Sequence, residues 1–390
     1  MKCFLFSILL LFTVQKASAL SAALAAIPES TWYQCTAGGN LSSVYETPAP
    51  PGTQADVIDA WSSAAFDTRR NRLMITGGGH TNYAGNEIYG FSIDSGTCGA
   101  WSIIKHGAST YDDSDVQYPF YKNGGSVVDS QQPRMAHYYD GIDYDSINDH
   151  FYMIGMYSSY SHATTYLQVR YLNVSDTTWH YQDPLITSIA GGNVSAMDPT
   201  TNRLWFYGDV SQGRANSLNP ATGVMRNHCN IFCNSTIANY ATGEIFPPVN
   251  RFIYIGSGES HYNKLDSTSG NNIDSTLTLS LTNCATLLAG KAPGLVYVPT
   301  KRRLYGWVSG THVYAMDSTY TCTDIAPAAS NTITPSSPSA QGTYGRAFYI
   351  PKYGLIGVVN STTSNVFYYR VAAQTSSSGG SRTTLLGVGK

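Results

Sequence analysis

Charged side chains make up only 12% of this 390-residue chain, and a helix-rich composition is missing with them. Tyr, Gly, Ser and Thr are abundant instead, the palette of strands and tight turns. Long apolar runs are scarce too. The stretch from Phe4 to Val14 is too short to span a bilayer, and with Lys2 before it and Ala17 and Ala19 after it, residues 1–19 read as a secretory signal cleaved after Ala19. Nothing later is long and apolar enough for a membrane helix, so a soluble, secreted, extracellular chain is expected. Removing Lys2 and Lys16 from the 23 basic side chains leaves 21 against 25 acidic, a balance near −4. No electrostatic reason remains to expect nucleic acid or an anionic membrane as partner.

Cysteine is sparse and lacks the spacing of a metal site. Cys3 leaves with the signal, and Cys35, Cys98, Cys229, Cys233, Cys284 and Cys322 form an even set, for which pairing is the default in an oxidising compartment. Many connectivities are open; the expected one joins Cys35 to Cys98, Cys229 to Cys233 and Cys284 to Cys322. Without CxxC pairs a zinc site is not expected. Sequons at Asn40, Asn173, Asn193, Asn234 and Asn360 permit N-glycosylation and would lie on the surface if the source is eukaryotic.

What is present is a repeat, and NRLMITGGGHTNYAGNEIYGFSI (Asn71 to Ile93) shows it best. An apolar strand runs into a glycine loop carrying His80 and Tyr83, and an alternating strand runs out. The glycines speak first of a tight bend. No GK[ST] follows to make a phosphate loop, and the spacing is not that of a dinucleotide fingerprint. Six segments share this layout, from Ala60, His137, Gly191, Tyr240, Gly294 and Tyr344. Each has an apolar strand, a polar turn of the D-x-x-x-N-R or P-x-x-x-R kind, a second strand, a Gly/Ser loop and a third aromatic strand. The fold class predicted is all-β: a β-propeller of four-stranded antiparallel blades over residues 20–373, with six repeats countable and seven open. The last segment lacks a fourth strand, and STWYQC (Ser30 to Cys35) is the candidate to supply it and close the ring. Residues 105–135 read as a polar insertion, long enough for a lid or rim, and residues 374–390 as a low-complexity, disordered tail.

GGGHTNYAGNEIYGF followed by PRMAHYYDGIDYDSINDHFYMIG resembles the opening blades of secreted kelch-type propellers of the galactose-oxidase-like architecture. More loosely, it is similar to propeller polysaccharide lyases that cut uronate-containing glycans. The match covers roughly Asn71 to Gly155; beyond it only the blade rhythm agrees. Those families place His, Tyr and Arg side chains on one face of the ring.

In a four-stranded blade, the loop joining the second and third strands and the loop joining one blade to the next emerge on the same side. That rule gathers His80, Tyr83, Arg134, His137, Tyr139, His162, Arg214, Glu259, His261, Tyr262 and His312. The D-x-x-x-N-R turns fall opposite, where Asp caps its own turn and the Arg is solvated. With Glu259 nearly alone as a carboxylate on the first face outside the insertion, hydrolysis by paired carboxylates is disfavoured. The set suits β-elimination from a uronate: a cation on the carboxylate, a base for the C5 proton and an acid for the leaving oxygen. The expected roles are Arg214 or Arg134 on the carboxylate, His80 or His137 as base, and Tyr139 or Tyr83 as acid, with the base and acid roles interchangeable. Arg134, His261, Tyr262 and His162 are expected to bind substrate. No cofactor is called for, and a structural or charge-neutralising divalent metal stays open. The partner expected is a uronate-containing polysaccharide, and the chain is expected to be a monomer. Two other readings are a non-catalytic propeller that binds glycan or protein, and a carbohydrate oxidase of the galactose-oxidase kind, whose radical site needs an unpaired Cys crosslinked to Tyr.

Overall fold

The computed structural model describes residues 22–79, 82–107, 127–129, 136–157, 166–182, 192–209, 214–228, 240–265 and 277–372. Among these residues, strands dominate and helices are short pieces of five residues or fewer. The N-terminal strand is β1 (Trp32–Gln34). Blade I holds β2 (Ser63–Asp67), β3 (Arg72–Thr76), β4 (Ile88–Ser92) and β5 (Ala100–Lys105). Blade II contains β6 (Val127–Asp129), β7 (Ala136–His137), β8 (Ile142–Asp145), β9 (His150–Tyr157), β10 (Tyr166–Asn173) and β11 (Thr178–Gln182). Blade III is β12 (Val194–Asp198), β13 (Arg203–Asp209), β14 (Arg214–Leu218) and β15 (Met225–Asn227); blade IV is β16 (Thr242–Phe246), β17 (Arg251–Gly256), β18 (Glu259–Lys264) and β19 (Leu277–Thr278). Blade V comprises β20 (Gly294–Val298), β21 (Arg303–Trp307), β22 (Val313–Met316) and β23 (Cys322–Ile325); blade VI has β24 (Ala347–Ile350), β25 (Leu355–Val358) and β26 (Phe367–Arg370).

The innermost strands touch in cyclic order, β2, β8, β12, β16, β20, β24 and back to β2, so the sheets form a closed six-bladed β-propeller. β1 pairs antiparallel with β26 and completes blade VI, as expected for STWYQC. Two of the expected disulfides are formed: Cys35–Cys98 ties the closing strand to blade I, and Cys284–Cys322 braces blade V. Cys229 and Cys233 lie outside the described residues, as do the signal and the tail. The insertion is not only rim, because β6 adds an outer strand to blade II beside β11. The inner edge of that blade is divided, with β7 and β8 both pairing β9.

Apolar side chains fill the spaces between neighbouring blades. Phe66 stacks on Phe348 at 5.3 Å between blades I and VI, Tyr207 meets Tyr254 at 5.7 Å between III and IV, and Trp32 meets Trp307 at 5.9 Å across the seam to V. Such ring pairs contribute roughly 0.5–1.5 kcal/mol each beyond their buried area.

The polar turns after the innermost strands repeat one chemistry. Asp67 Oδ1 accepts from the backbone of Arg69 and Arg70, Asp145 Oδ1 from Ile147 and Asn148, and Asp198 Oδ1 from Thr200. The Arg of the first turn is not simply solvated: Arg72 Nε donates to Asp67 at 3.0 Å. Arg70 forks onto Asp149 of blade II at 2.7 and 2.6 Å.

Candidate functional site

On the face opposite those turns, a belt of backbone hydrogen bonds joins blade to blade around the channel mouth. Tyr139 N donates to Trp61 O at 2.8 Å, Asp140 N to Asn193 O at 2.9 Å, Ala292 N to Tyr240 O at 2.7 Å, and Tyr344 N to Ala292 O at 3.1 Å. The fully buried Arg346 closes the belt between blades VI and I by donating to Ser62 O and Gly342 O. Four belt residues have left-handed backbone although none is glycine: Trp61 (φ 47°), Tyr139 (50°), Ala292 (41°) and Tyr344 (50°). Large side chains rarely adopt that conformation, and where they do the surroundings must hold it.

His137, at the end of β7, enters this ring of aromatics. Its imidazole lies 4.6 Å from the Trp61 ring and 6.1 Å from that of Tyr139, whose ring in turn lies 6.4 Å from Tyr344. His137 is 6% and Tyr139 7% exposed. The Nε2 atom faces Asn82 Oδ1 at 3.2 Å. With an amide oxygen as the partner, the contact is a hydrogen bond in the tautomer that carries the imidazole proton on Nε2. Burial, with Tyr240 nearby, pushes the Tyr139 phenol up to about 12; it stays protonated and serves as a donor. Lys291 supplies positive charge, its Nζ 3.9 Å from the Tyr240 centroid and donating to Ala340 O at 2.7 Å and Gln341 Oε1 at 3.2 Å. Among the described residues it makes no ion pair.

Along the axis runs a cavity of about 160 Å³ whose walls include Asp140, Asp143 and Glu244. Asp140 Oδ2 accepts from Gly243 N at 2.6 Å, which links blade II to blade IV. Asp143 accepts from Ser195 Oγ at 2.5 Å, and Glu244 from Ile245 N at 2.8 Å and Tyr297 N at 3.2 Å. Burial raises all three carboxyls: Asp140 well above the usual range, Asp143 to about 7 and Glu244 to about 8. Among the described residues, no group of three or more His, Cys, Asp or Glu is arranged to hold a metal ion.

The structure thus brings His137 and Tyr139 together. His80, Arg134 and His162 lie outside the described residues. Tyr83 sits beneath the glycine loop in the core, its hydroxyl donating to Glu87 Oε1 at 2.5 Å. The loop needs its glycines: a Cβ on Gly78 (φ 90°) would come within 2.4 Å of Asp56 O. Arg214 opens β14 opposite Asp209. His261 and Tyr262 are not in a loop, because Ser257 and Gly258 alone make the hairpin turn and both residues fall within β18, the third strand outward. There His261 packs 5.6 Å from Tyr254 and 3.6 Å from Glu259, burial lowering its pKa, while Tyr262 lies under the Arg251 guanidinium at 5.2 Å. His312 is on the rim of blade V, 2.7 Å from Asp324. The four described cysteines are all paired, so none of them is available for a Cys–Tyr crosslink. Sequence reasoning missed Trp61, Asn82, Tyr240, Lys291 and Tyr344. Three were within reach, since Trp61, Tyr240 and Tyr344 stand at or near the starts of the first, fourth and sixth repeats.

A six-bladed propeller with an aromatic, histidine-bearing mouth is the class that fold and geometry define. No protein-family model and no curated protein matches the chain. Among solved structures it is similar to a structural-genomics protein of unknown function from Bacteroides thetaiotaomicron (10% identity, TM-score 0.49, covering 87% of this chain and 75% of that one). It is also similar to a protein from Lactobacillus plantarum (12%, 0.41, 76% and 76%). A third is an auxiliary nutrient binding protein from Bacteroides ovatus (8%, 0.32, 79% and 97%). At such identities the likeness is one of fold alone.

Proposed function

We propose that this protein is a secreted polysaccharide lyase that cleaves uronate-containing glycans by β-elimination at the propeller mouth. The observation that carries the reading is the placement of His137 among Trp61, Tyr139 and Tyr344, three aromatics held in left-handed backbone at one end of the ring. Strained residues that cluster around a cleft are a signature of a working site. His137 takes the C5 proton, the C4–O bond breaks as the C4=C5 double bond forms, and Tyr139 gives its proton to the departing oxygen. A departing alkoxide is more basic than even a phenolate raised to about 12, so that transfer runs downhill. The imidazolium and phenolate then return to their starting states by exchanging a proton through solvent. Lys291, fixed over Tyr240, faces the uronate carboxylate and stabilises the charge that builds there; Arg134 and Arg214 are further cations that the sequence offers for this role. Trp61 and Tyr240 offer ring faces to sugar.

The test is incubation of the purified protein with a panel of uronate polysaccharides while ultraviolet absorbance follows the unsaturated product. Absorbance should rise with at least one glycan and stay flat for His137→Ala and Tyr139→Phe. A second reading, glycan capture without chemistry, is favoured by the high pKa of Tyr139, since a platform of protonated phenols and an indole needs no proton transfer to hold sugar. A flat trace across the panel with retained glycan binding supports that reading against the lyase.

A further inference from the structure

We propose that, in a eukaryotic secretory pathway, this chain carries N-linked oligosaccharides on Asn173 and Asn40 and none on Asn193 or Asn360. These four sequons share the same local sequence rule, yet the fold sorts them into two pairs. Asn193 and Asn360 are each 1% exposed. Their amide nitrogens point inward, Asn193 Nδ2 donating to Ile154 O at 3.2 Å and Asn360 Nδ2 to Ser336 O at 2.5 Å. Their Oδ1 atoms are enclosed without a hydrogen-bond partner among the described residues. The hydroxyl residues two positions on are also committed to the interior. Ser195 Oγ bonds Asp143 and the carbonyl of Asp140, and Thr362 is buried. An oligosaccharide needs the volume now filled by blade II at Asn193 and by the connection between β23 and β24 at Asn360, and Asn193 is itself a member of the mouth belt.

The other pair lies at the surface. Asn173 ends β10 at the turn into β11, and Asn40 opens the short 3-10 turn Leu41–Val44. In both, the serine two residues on donates its hydroxyl to the asparagine Oδ1 at 2.8 Å; that pair is exposed at Asn173 and part-buried at Asn40, and both asparagine side chains are partly exposed. The bonds of their amide nitrogens, to Asp176 and to the carbonyl of Thr363, are exposed and exchangeable with water. The co-reactant is a lipid-linked oligosaccharide diphosphate. Its C1–O bond breaks as the Nδ2–C1 bond forms, and the amide proton leaves with the diphosphate. The β10–β11 turn belongs to the face opposite the mouth, so a glycan on Asn173 leaves the opening unobstructed.

The experiment is secretion of the mature chain from a eukaryotic host behind the host's own leader. Enzymatic glycan release in heavy-oxygen water and peptide mass spectrometry then mark each site that carried sugar. Label is expected at Asn173 and Asn40, with Asn193 and Asn360 unmodified. Asn173→Gln and Asn40→Gln should each remove the mass of one glycan, whereas Asn360→Gln should remove none. Sugar on Asn193 or Asn360 of the secreted protein, or bare asparagine at both Asn173 and Asn40, overturns the assignment.

Discussion

The two faces of the ring solve the same backbone problem with different residues. On the turn face, the residue before the second strand of every blade is left-handed: Asn71, Asp149, Asn202, Asn250, Arg302 and Gly354, with φ between 50° and 62°. All but Arg302 are the types that tolerate this conformation at little cost. On the mouth face the left-handed belt residues include Trp61, Tyr139, Ala292 and Tyr344. There the choice of side chain opposes the backbone, and each position costs about 1–2 kcal/mol against glycine. Residues chosen for the backbone mark the repeat that builds the fold; residues chosen against it mark the place where ring position matters more than local stability.

The sharpest way to break that contrast is to substitute one residue on each face and compare what is lost. His137→Ala should lower the rate of product formation by about 100- to 10,000-fold, the range for removing a general base, with the melting transition kept. Asn71→Ala should do the reverse, leaving the rate intact while stability falls by about 1 kcal/mol at its left-handed site. Comparable losses of activity in the two variants would erase the distinction between faces.

Between the faces lies the channel, where pH supplies the probe. Asp143 and Glu244 have folded pKa values raised to about 7 and about 8. Because the raised value belongs to the folded state, their contribution to stability is fully present below the ordinary carboxyl range and is lost as pH rises through 7 to 8. Denaturant melts from pH 5 to 9 should therefore show declining stability. Asp143→Asn should flatten that decline by about 1–3 kcal/mol; an unchanged slope would mean that these carboxyls are ionised in the folded protein.

Asp149 on the turn face has the opposite sign. The Arg70 guanidinium holds its carboxyl below the usual range, so its contribution is present at neutral pH and lost as pH falls through and below about 4. Asp149→Asn should cost about 1–2 kcal/mol at pH 7, modest because Arg70 is one-third exposed and solvent screens the pair. The deficit should close in acid, and a deficit constant from pH 7 to pH 3 would assign it to packing and not to charge.

How much of this could be read from the chain follows the same division. The turns were legible because Asp at the cap and Asn before Arg answer local demands, and local demands leave a spacing in sequence. Ring closure by Trp32–Gln34 and the Cys35–Cys98 bond were legible for a related reason: an incomplete last repeat requires a strand from elsewhere. The mouth was only half legible. His137 and Tyr139 stood beside a recognisable motif; Trp61, Tyr240 and Tyr344 were marked only by their positions at repeat starts, and Lys291 by nothing local, because closure of the ring is what brings them together. His261 and Tyr262 misled because a two-residue turn at Ser257 and Gly258 uses less chain than a Gly/Ser loop usually does, which returns both residues to the strand.

The smallest expected effect refines the contrast without touching chemistry. Arg302 is the turn-face exception, an exposed arginine at φ 54° where four other blades have Asn or Asp and blade VI has Gly354. Arg302→Gly should raise stability by about 0.5–1 kcal/mol, since strain relieved in the folded chain outweighs the entropy glycine adds to the unfolded one. Ala292→Gly on the mouth face starts from a similar φ of 41°, but its methyl packs against Tyr139 and Tyr344. There the lost contact opposes the relief, and the net change should be smaller. If thermal melts show Ala292→Gly gaining as much as Arg302→Gly, the mouth backbone is held by its hydrogen-bonded belt alone and the aromatic packing contributes little to its shape.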